Sequence, residues 1–305
     1  MRGAPETPAA APIEEVVVEG RHEGPRMWVV RYGQHTLWIL GTVSPLPKRL
    51  VWQPDAVREV LKQTQEVVPA WPTYGIGANP FTALRVYMEW RRLQKPPEHL
   101  PLRQTLPPAL YARVEALKAR YDAHDDKLEN MRPMFAAGQL LTRVFDAAGL
   151  ARHNEVQEKV LALARAQNVR VRQNKLRVED PVDVLKDVNA TSLESEITCL
   201  ESVVTMLETD IAPMQARANA WALGDVDALR KLPYAADRTA CVTALASSER
   251  LRKLATRVQD DWLIQVEAAL KSNKGTLAVQ SMDRLLGEHG ALALLRAKGY
   301  SVEGP

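Results

Sequence analysis

The sequence predicts an α/β fold in which both ends of the chain contribute strands to a central sheet and the middle is a large α-helical insertion. Short runs rich in β-branched and aromatic residues occur at residues 27–32, 36–42 and 276–280. Between them, residues 80–166 carry apolar side chains at helical spacing, as a helical cap does. Because strands and helices alternate at both ends of the chain, we expect one layered α/β domain from residue 25 to residue 305.

The first part of the chain contains a hairpin, a helix and a short strand. Gly33-Gln34-His35 separates the first two β-rich runs, as the turn of a hairpin does. Pro54 suits the start of a helix, because the apolar residues that follow it recur at helical spacing. Residues 66–68 predict a brief strand, whereas residues 69–80 contain several Pro and Gly residues and predict an irregular loop.

The second half alternates in the same way. Residues 169–173 alternate between apolar and polar side chains and predict a strand, and residues 200–207 and 254–266 have the spacing of amphipathic helices. A helix over residues 287–298 and a strand over residues 300–303 close the chain. Three tryptophans lie among apolar neighbours on predicted helices and are expected in the core: Trp90, Trp221 and Trp262.

Length, composition and charge indicate a soluble globular protein that does not bind nucleic acid. The chain has 305 residues, of which 46% are hydrophobic and 25% charged, and 40 basic residues nearly balance 37 acidic ones. No run of about 18 apolar residues occurs, so we expect no membrane-spanning helix. The densest basic stretch, residues 165–177, alternates with apolar residues and predicts the solvated face of a strand rather than a phosphate-binding track.

The start of the chain and its cysteines bear on location. Residues 1–24 are Ala/Pro-rich at their beginning and have little to bury, so we expect a flexible lead-in. Such a segment is typical of an exported protein whose signal peptide has been removed, which predicts a periplasmic or secreted location. Cys199 and Cys241 are the only cysteines. They can close one disulfide in an oxidising compartment, and the alternative is two buried free thiols.

Two motifs and a closing segment resemble one known family. Residues 37–44 read Leu-Trp-Ile-Leu-Gly-Thr-Val-Ser, and residues 276–290 lead from a strand into Ser-Met-Asp-Arg-Leu-Leu-Gly-Glu-His-Gly. With residues 290–300, they resemble the TraB/GumN family in order and spacing. The resemblance implies an α/β fold similar to Tiki, ChaN and erythromycin-esterase-like proteins. In members such as Tiki, two Gly-x-x-His elements and an acidic residue hold a metal ion that activates water for peptide hydrolysis.

The chain departs from this family pattern at each expected ligand position. Ser44 and Arg284 stand where relatives have the two histidines, and Pro69 stands where relatives often have Glu. Residues 257–259 also differ from the Glu-Arg-Asn of relatives. A hydroxyl, a permanently charged guanidinium and a proline cannot reproduce the metal site. We therefore expect a catalytically degenerate relative of metal-dependent hydrolases, with no metal and no other cofactor.

Five residues remain candidates for a site. Ser44 is a possible nucleophile, or it ends its strand by bonding its own backbone. Asp283 and Arg284 suit an anionic group; the alternatives are that they form an ion pair, or that Asp283 starts and stabilises the following helix. Trp71 and Tyr74 lie in the Pro/Gly-rich loop, where they either grip a partner or ligand or cover the end of the sheet.

Two functions follow from these observations. The first is a non-catalytic, exported protein that acts in the cell envelope by binding an unknown protein or a small anionic ligand. The second is a hydrolase of peptide or ester bonds whose site is rebuilt from Ser44, Asp283 and Arg284. The residues do not identify a substrate, a partner or an oligomeric state.

Overall fold

A computed structural model describes most of the chain. The described residues are 24–76, 79–96, 100–123, 127–151, 155–173, 175–232, 241, 243–244, 248–286 and 289–304, without the side chains of residues 73–76, 177, 255 and 259. The predicted lead-in therefore lies outside the described residues, except for Gly24.

The strands form one large sheet and one small one. They are β1 (Met27–Tyr32), β2 (His35–Thr42), β3 (Glu66–Val68), β4 (Thr73–Ile76), β5 (Arg170–Val171), β6 (Lys175–Val178), β7 (Gly275–Ser281) and β8 (Ser301–Glu303). The six-stranded sheet has the order β5-β3-β7-β2-β1-β8, and β4 pairs with β6. Strands from the two ends of the chain are therefore neighbours in one sheet, which confirms the predicted α/β class.

The large sheet has parallel strands at its centre and antiparallel strands on one side. β7 lies between β2 and β3 and runs parallel to both, and β5 continues the parallel set. β1 is antiparallel to β2 and to β8. Every residue of β7 before Ser281 is buried, as expected for a parallel strand that is covered on both faces. Gly33 lies in the hairpin turn and has a φ of 57°, which glycine adopts without strain.

Helices surround the sheet and also form a separate layer. They are α1 (Asp55–Lys62), α2 (Pro80–Leu93), α3 (Leu102–Thr105), α4 (Pro108–Arg120), α5 (Pro133–Ala147), α6 (Glu155–Ala166), α7 (Pro181–Asn189), α8 (Leu193–Thr209), α9 (Ile211–Leu223), α10 (Val226–Lys231), α11 (Glu249–Ser272), α12 (Met282–Leu285) and α13 (Ala291–Ala297). Local sequence explains many of the starts. Side-chain oxygens of Asn79, Ser192, Asp225 and Ser248 accept backbone N–H groups at the N-termini of α2, α8, α10 and α11.

The buried apolar residues form two clusters. The first joins the large sheet to α1, α6, α10, α11, α12, α13 and the end of α9. The second joins α3, α4, α5 and α8 to the start of α9. The helical layer is therefore completed by residues from beyond the predicted cap, and α6 packs with the sheet.

Two buried tryptophans hold helices on the sheet. The Nε1 of Trp221 on α9 donates to the Gly41 carbonyl at 2.6 Å, and the Nε1 of Trp262 on α11 donates to the Val279 carbonyl at 3.1 Å. Both were expected in the core. The expectation for Trp90 is wrong, because 44% of this side chain is exposed. Its ring meets the Phe135 ring edge-on, and α2 packs mainly against α7.

The small sheet could not be predicted from local sequence. The predicted loop over residues 69–80 contains β4, whose backbone pairs in parallel with β6. A distant partner supplies this pairing, so the local Pro and Gly residues do not decide it.

A disulfide joins Cys199 on α8 to Cys241, which confirms the first of the two alternatives for the cysteines. Within the described ranges, no helix is both long and apolar enough to cross a membrane.

Candidate functional site

The candidate site lies where the parallel strands end. Thr42 at the end of β2 pairs with Ser281 at the end of β7. The chain runs on from these two strand ends to Ser44 and Arg284, and Pro69 follows β3 on the other side of β7. Ser44, Pro69 and Arg284 therefore share one edge of the sheet. We call this region, with Trp71 and Asp283, the carboxyl edge.

A cation–π contact occupies the carboxyl edge. The guanidinium carbon of Arg284 lies 4.3 Å from the centroid of the Trp71 ring. Trp71 follows β3 and Arg284 lies on α12 after β7, and neighbouring strands bring them together. Stacking of a planar guanidinium on an indole is favourable, and it holds the positive charge at this edge. Trp71 remains 41% exposed.

Glycine at position 41 lets α12 lie close to the sheet. A Cβ at Gly41 would collide with the Sδ of Met282 and would lie 2.8 Å from the Trp28 ring. The glycine of the first motif therefore has a packing role. It allows the first turn of α12, which carries Arg284, to rest directly on β2.

A shallow pocket opens beside Arg284. Asp260, Leu263, Gln280 and Leu294 are among its lining residues. Gln280 is buried, and its Oε1 accepts the backbone N–H of Ser281 at 2.9 Å. Asp260 is exposed. The pocket thus combines one cation, one carboxylate and an apolar wall.

The proposed catalytic residues do not form a hydrogen-bonded set. Ser44 and Asp283 are both exposed, and no side-chain hydrogen bond of either is found among the described residues. Asp283 lies in the first turn of α12, and its side chain does not cap the helix. Tyr74 belongs to β4 by its backbone, and its side chain is outside the described residues.

The residues at the carboxyl edge do not fit a divalent metal ion. Ser44 and Pro69 offer no imidazole or carboxylate, and Arg284 brings a permanent positive charge to this edge. In the part of the chain that the structure describes, no group of three or more His, Cys, Asp or Glu side chains is placed to hold a metal. The described side chains at this edge therefore do not supply the ligands of a divalent metal site.

A buried carboxylate lies near the opposite edge of the sheet, where the sequence predicted only a solvated strand face. Glu66 on β3 is 3% exposed and is bonded by Arg172 at 2.6 Å, Arg170 at 3.2 Å and Asn273 at 3.0 Å. Arg172 also donates to Gln265 at 2.9 Å. The prediction of a solvated face is wrong for Arg172, because its side chain turns inward to neutralise Glu66. The one signal in the sequence that could have indicated this buried site was a single Glu at the start of an apolar strand.

Glu66 should make stability depend on pH. Burial raises the pKa of Glu66, but hydrogen bonds from Arg172 and Asn273 and the charges of Arg172 and Arg170 outweigh burial and hold this pKa below its usual value. A carboxyl group with a lowered folded pKa stabilises the protein above its unfolded pKa, and this stability is lost as pH falls through the folded pKa.

Glu66→Gln is therefore expected to lower the free energy of unfolding by about 2 kcal/mol near neutral pH and by much less in acid. Urea unfolding at a series of pH values measures the difference. The control is Glu59→Gln on α1, where an exposed Glu59 pairs with Lys62, and we expect a change within about 0.5 kcal/mol there. A pH-independent loss at Glu66 would contradict the electrostatic explanation.

A second buried ion pair lies in the helical layer. Arg132 precedes α5, and Glu196 lies in the first turn of α8; both are buried and their side chains are bonded to each other. Arg132 Nη1 donates to Asn189 Oδ1 at the end of α7 at 2.6 Å. Burial raises the pKa of Glu196, and the hydrogen bond and charge of Arg132 offset only part of this rise. No local pattern marks either residue.

Comparison with known proteins places the chain in a family. The model of the TraB/PrgY/gumN family matches residues 26–304, which covers the large sheet, the helical layer and the carboxyl edge. No curated protein and no solved structure matched the chain. The ordered motifs at both ends of the chain agree with this match. Because the match spans nearly the whole chain, this protein belongs to the TraB/PrgY/gumN family.

Proposed function

We propose that this protein is a non-catalytic member of its family that acts by binding in the cell envelope. The observation that carries the proposal is the contact between Arg284 and Trp71. It puts a stacked cation where the family resemblance places a metal-binding imidazole. A hydrolase of this kind needs a cation-binding site at that point, and a fixed guanidinium repels the ion.

The disulfide supports the location in this proposal. Disulfides form and persist in oxidising compartments such as the periplasm and the extracellular space, and they are rare in the cytosol. Cys199 and Cys241 are bonded to each other, so the chain has the chemistry expected of an exported protein. Alkylation of cysteines in freshly lysed cells would test it, because a protein kept in a reducing compartment would react at both thiols.

The alternative function is a peptide or ester hydrolase with a rebuilt site. Ser44, Asp283 and Arg284 lie at the same edge of the sheet, which is the observation in its favour. However, serine hydrolases need a base that is bonded to the nucleophile. Ser44 has no such bond to a described residue, so the binding function has the stronger support.

Metal titration separates the two functions. We expect the purified protein to bind Mn²⁺, Co²⁺ and Zn²⁺ at well below one ion per chain in calorimetry and elemental analysis, because Arg284 opposes a cation at the carboxyl edge. The matched variant is Ser44→His/Pro69→Glu/Arg284→His, which restores the ligand types and is expected to gain a site for Zn²⁺. About one ion per chain in the unaltered protein, lost in Asp283→Asn, would favour a hydrolase and call for peptide substrates.

A further inference from the structure

Helix α2 carries an apolar surface that no other described part of the protein covers. Besides Trp90, which meets the Phe135 ring, its exposed large apolar side chains are Phe81, Leu84, Tyr87 and Met88, with Phe81 exposed to 79%. Phe81, Leu84, Met88 and Arg91 follow at spacings of three and four residues, which places them along one side of the helix, and Lys95 comes two residues after the end of the helix. We call these five residues and Tyr87 the α2 face.

The charges on this helix are all of one sign where they are exposed. Across residues 80–95, the exposed charged side chains are Arg85, Arg91, Arg92 and Lys95, and the single acidic residue, Glu89, is half-buried and paired with Arg92. The guanidinium of Arg91 lies 6.0 Å from the centroid of the Tyr87 ring, so this cation lies within the apolar surface. The whole chain is nearly neutral, and this concentration of positive charge is local.

From this arrangement we propose that the α2 face binds the surface of a bilayer that contains anionic phospholipid. The positive charges of Arg91 and Lys95 favour a bilayer surface over a protein groove or a second copy of the chain. In a dry protein groove Arg91 and Lys95 would be buried with their apolar neighbours, which is strongly unfavourable for unpaired charges. At a bilayer surface, Phe81, Leu84 and Met88 enter the boundary of the acyl chains, while the long cationic side chains reach the lipid phosphates. A second copy would oppose the same cations with like charges.

The rest of the fold presents this face in a fixed orientation. α2 packs against α7 on its other side, and Trp90 meets the Phe135 ring edge-on with 5.5 Å between centroids. Asn79 caps the start of the helix by accepting the Thr82 backbone N–H at 2.8 Å. The helix is therefore formed before binding, and no folding entropy opposes association. The proposal is independent of whether the carboxyl edge is catalytic.

Vesicle flotation with the full chain tests the proposal. We expect binding to vesicles of phosphatidylcholine mixed with phosphatidylglycerol. Binding to vesicles of phosphatidylcholine alone should be weaker by roughly fivefold for each cation that contributes. Phe81→Ser/Met88→Ser is expected to weaken binding roughly tenfold or more. Arg91→Gln/Lys95→Gln is expected to remove the preference for phosphatidylglycerol.

The matched control is Val51→Ser/Ile264→Ser, which removes two exposed apolar side chains outside α2 and should leave flotation unchanged. Circular dichroism checks that every variant is folded. Absence of binding to the anionic vesicles, or an equal loss in the control, would overturn the proposal. So would sedimentation that shows a dimer of the unaltered protein which Phe81→Ser/Met88→Ser dissociates, without lipid binding, because the α2 face would then be a protein interface.

Discussion

Arg132→Met is expected to lower the free energy of unfolding by about 3–5 kcal/mol, because it leaves the carboxylate of Glu196 buried without its cation. Arg132 also connects three helix ends, since it lies before α5, donates to Asn189 at the end of α7 and is paired with Glu196 at the start of α8. Loss of the guanidinium therefore breaks several hydrogen bonds in the helical layer. Urea unfolding monitored by tryptophan fluorescence measures the change.

The pH dependence identifies the cause of this loss. Burial already raises the pKa of Glu196, and without Arg132 nothing charged offsets it. A carboxyl group whose folded pKa is raised holds a proton that the unfolded chain releases, so stability falls as pH rises above the ordinary carboxyl pKa. We therefore expect the effect of Arg132→Met to be larger at neutral pH than in acid.

The double variant Arg132→Met/Glu196→Leu is the matched control. It removes both charges and fills similar volume, and replacing a buried ion pair with apolar residues is often neutral or stabilising. We expect it to recover most of the lost stability. A double variant as unstable as the single one would show that packing around Arg132, rather than the unpaired charge, explains the loss.

Replacing both cysteines with alanine is the second large expected effect, with a loss of about 4 kcal/mol in the free energy of unfolding. The disulfide closes a loop between Cys199 and Cys241, which are 42 residues apart. The cross-link restricts the unfolded chain, and its removal restores that freedom. Alanine avoids placing a hydroxyl at position 199, which is buried in the helical layer.

Denaturant unfolding with and without a thiol reductant checks this prediction. The unaltered protein in reductant should approach the stability of Cys199→Ala/Cys241→Ala, and the double variant should not respond to reductant. Thr198→Ala, on the exposed side of α8, is the control for substitution on this helix. A loss below about 1 kcal/mol in the cysteine variant would mean that the unfolded chain is already restricted in this region.

The carboxyl edge could be located from the sequence, but its chemistry could not. Ser44 and Arg284 were recognised because both follow strands in a family order, and the sheet brings those strands together. The partner of Arg284 was not foreseen, since Trp71 comes from a third strand end and its neighbours in sequence predicted only an irregular loop. The stack depends on strand order, which local motifs do not contain.

The sequence by itself determined what depends on near neighbours: the hairpin around Gly33, the strand over residues 276–280 and the ordered motifs of the family. Only the tertiary structure decided that β4 pairs with β6, that Trp90 stays exposed, and that Arg172 and Arg132 turn inward to buried carboxylates. The physical reason is the same in each case. Backbone pairing and charge neutralisation join residues far apart in the chain, so a side chain's surroundings follow from packing and not from its own spacing.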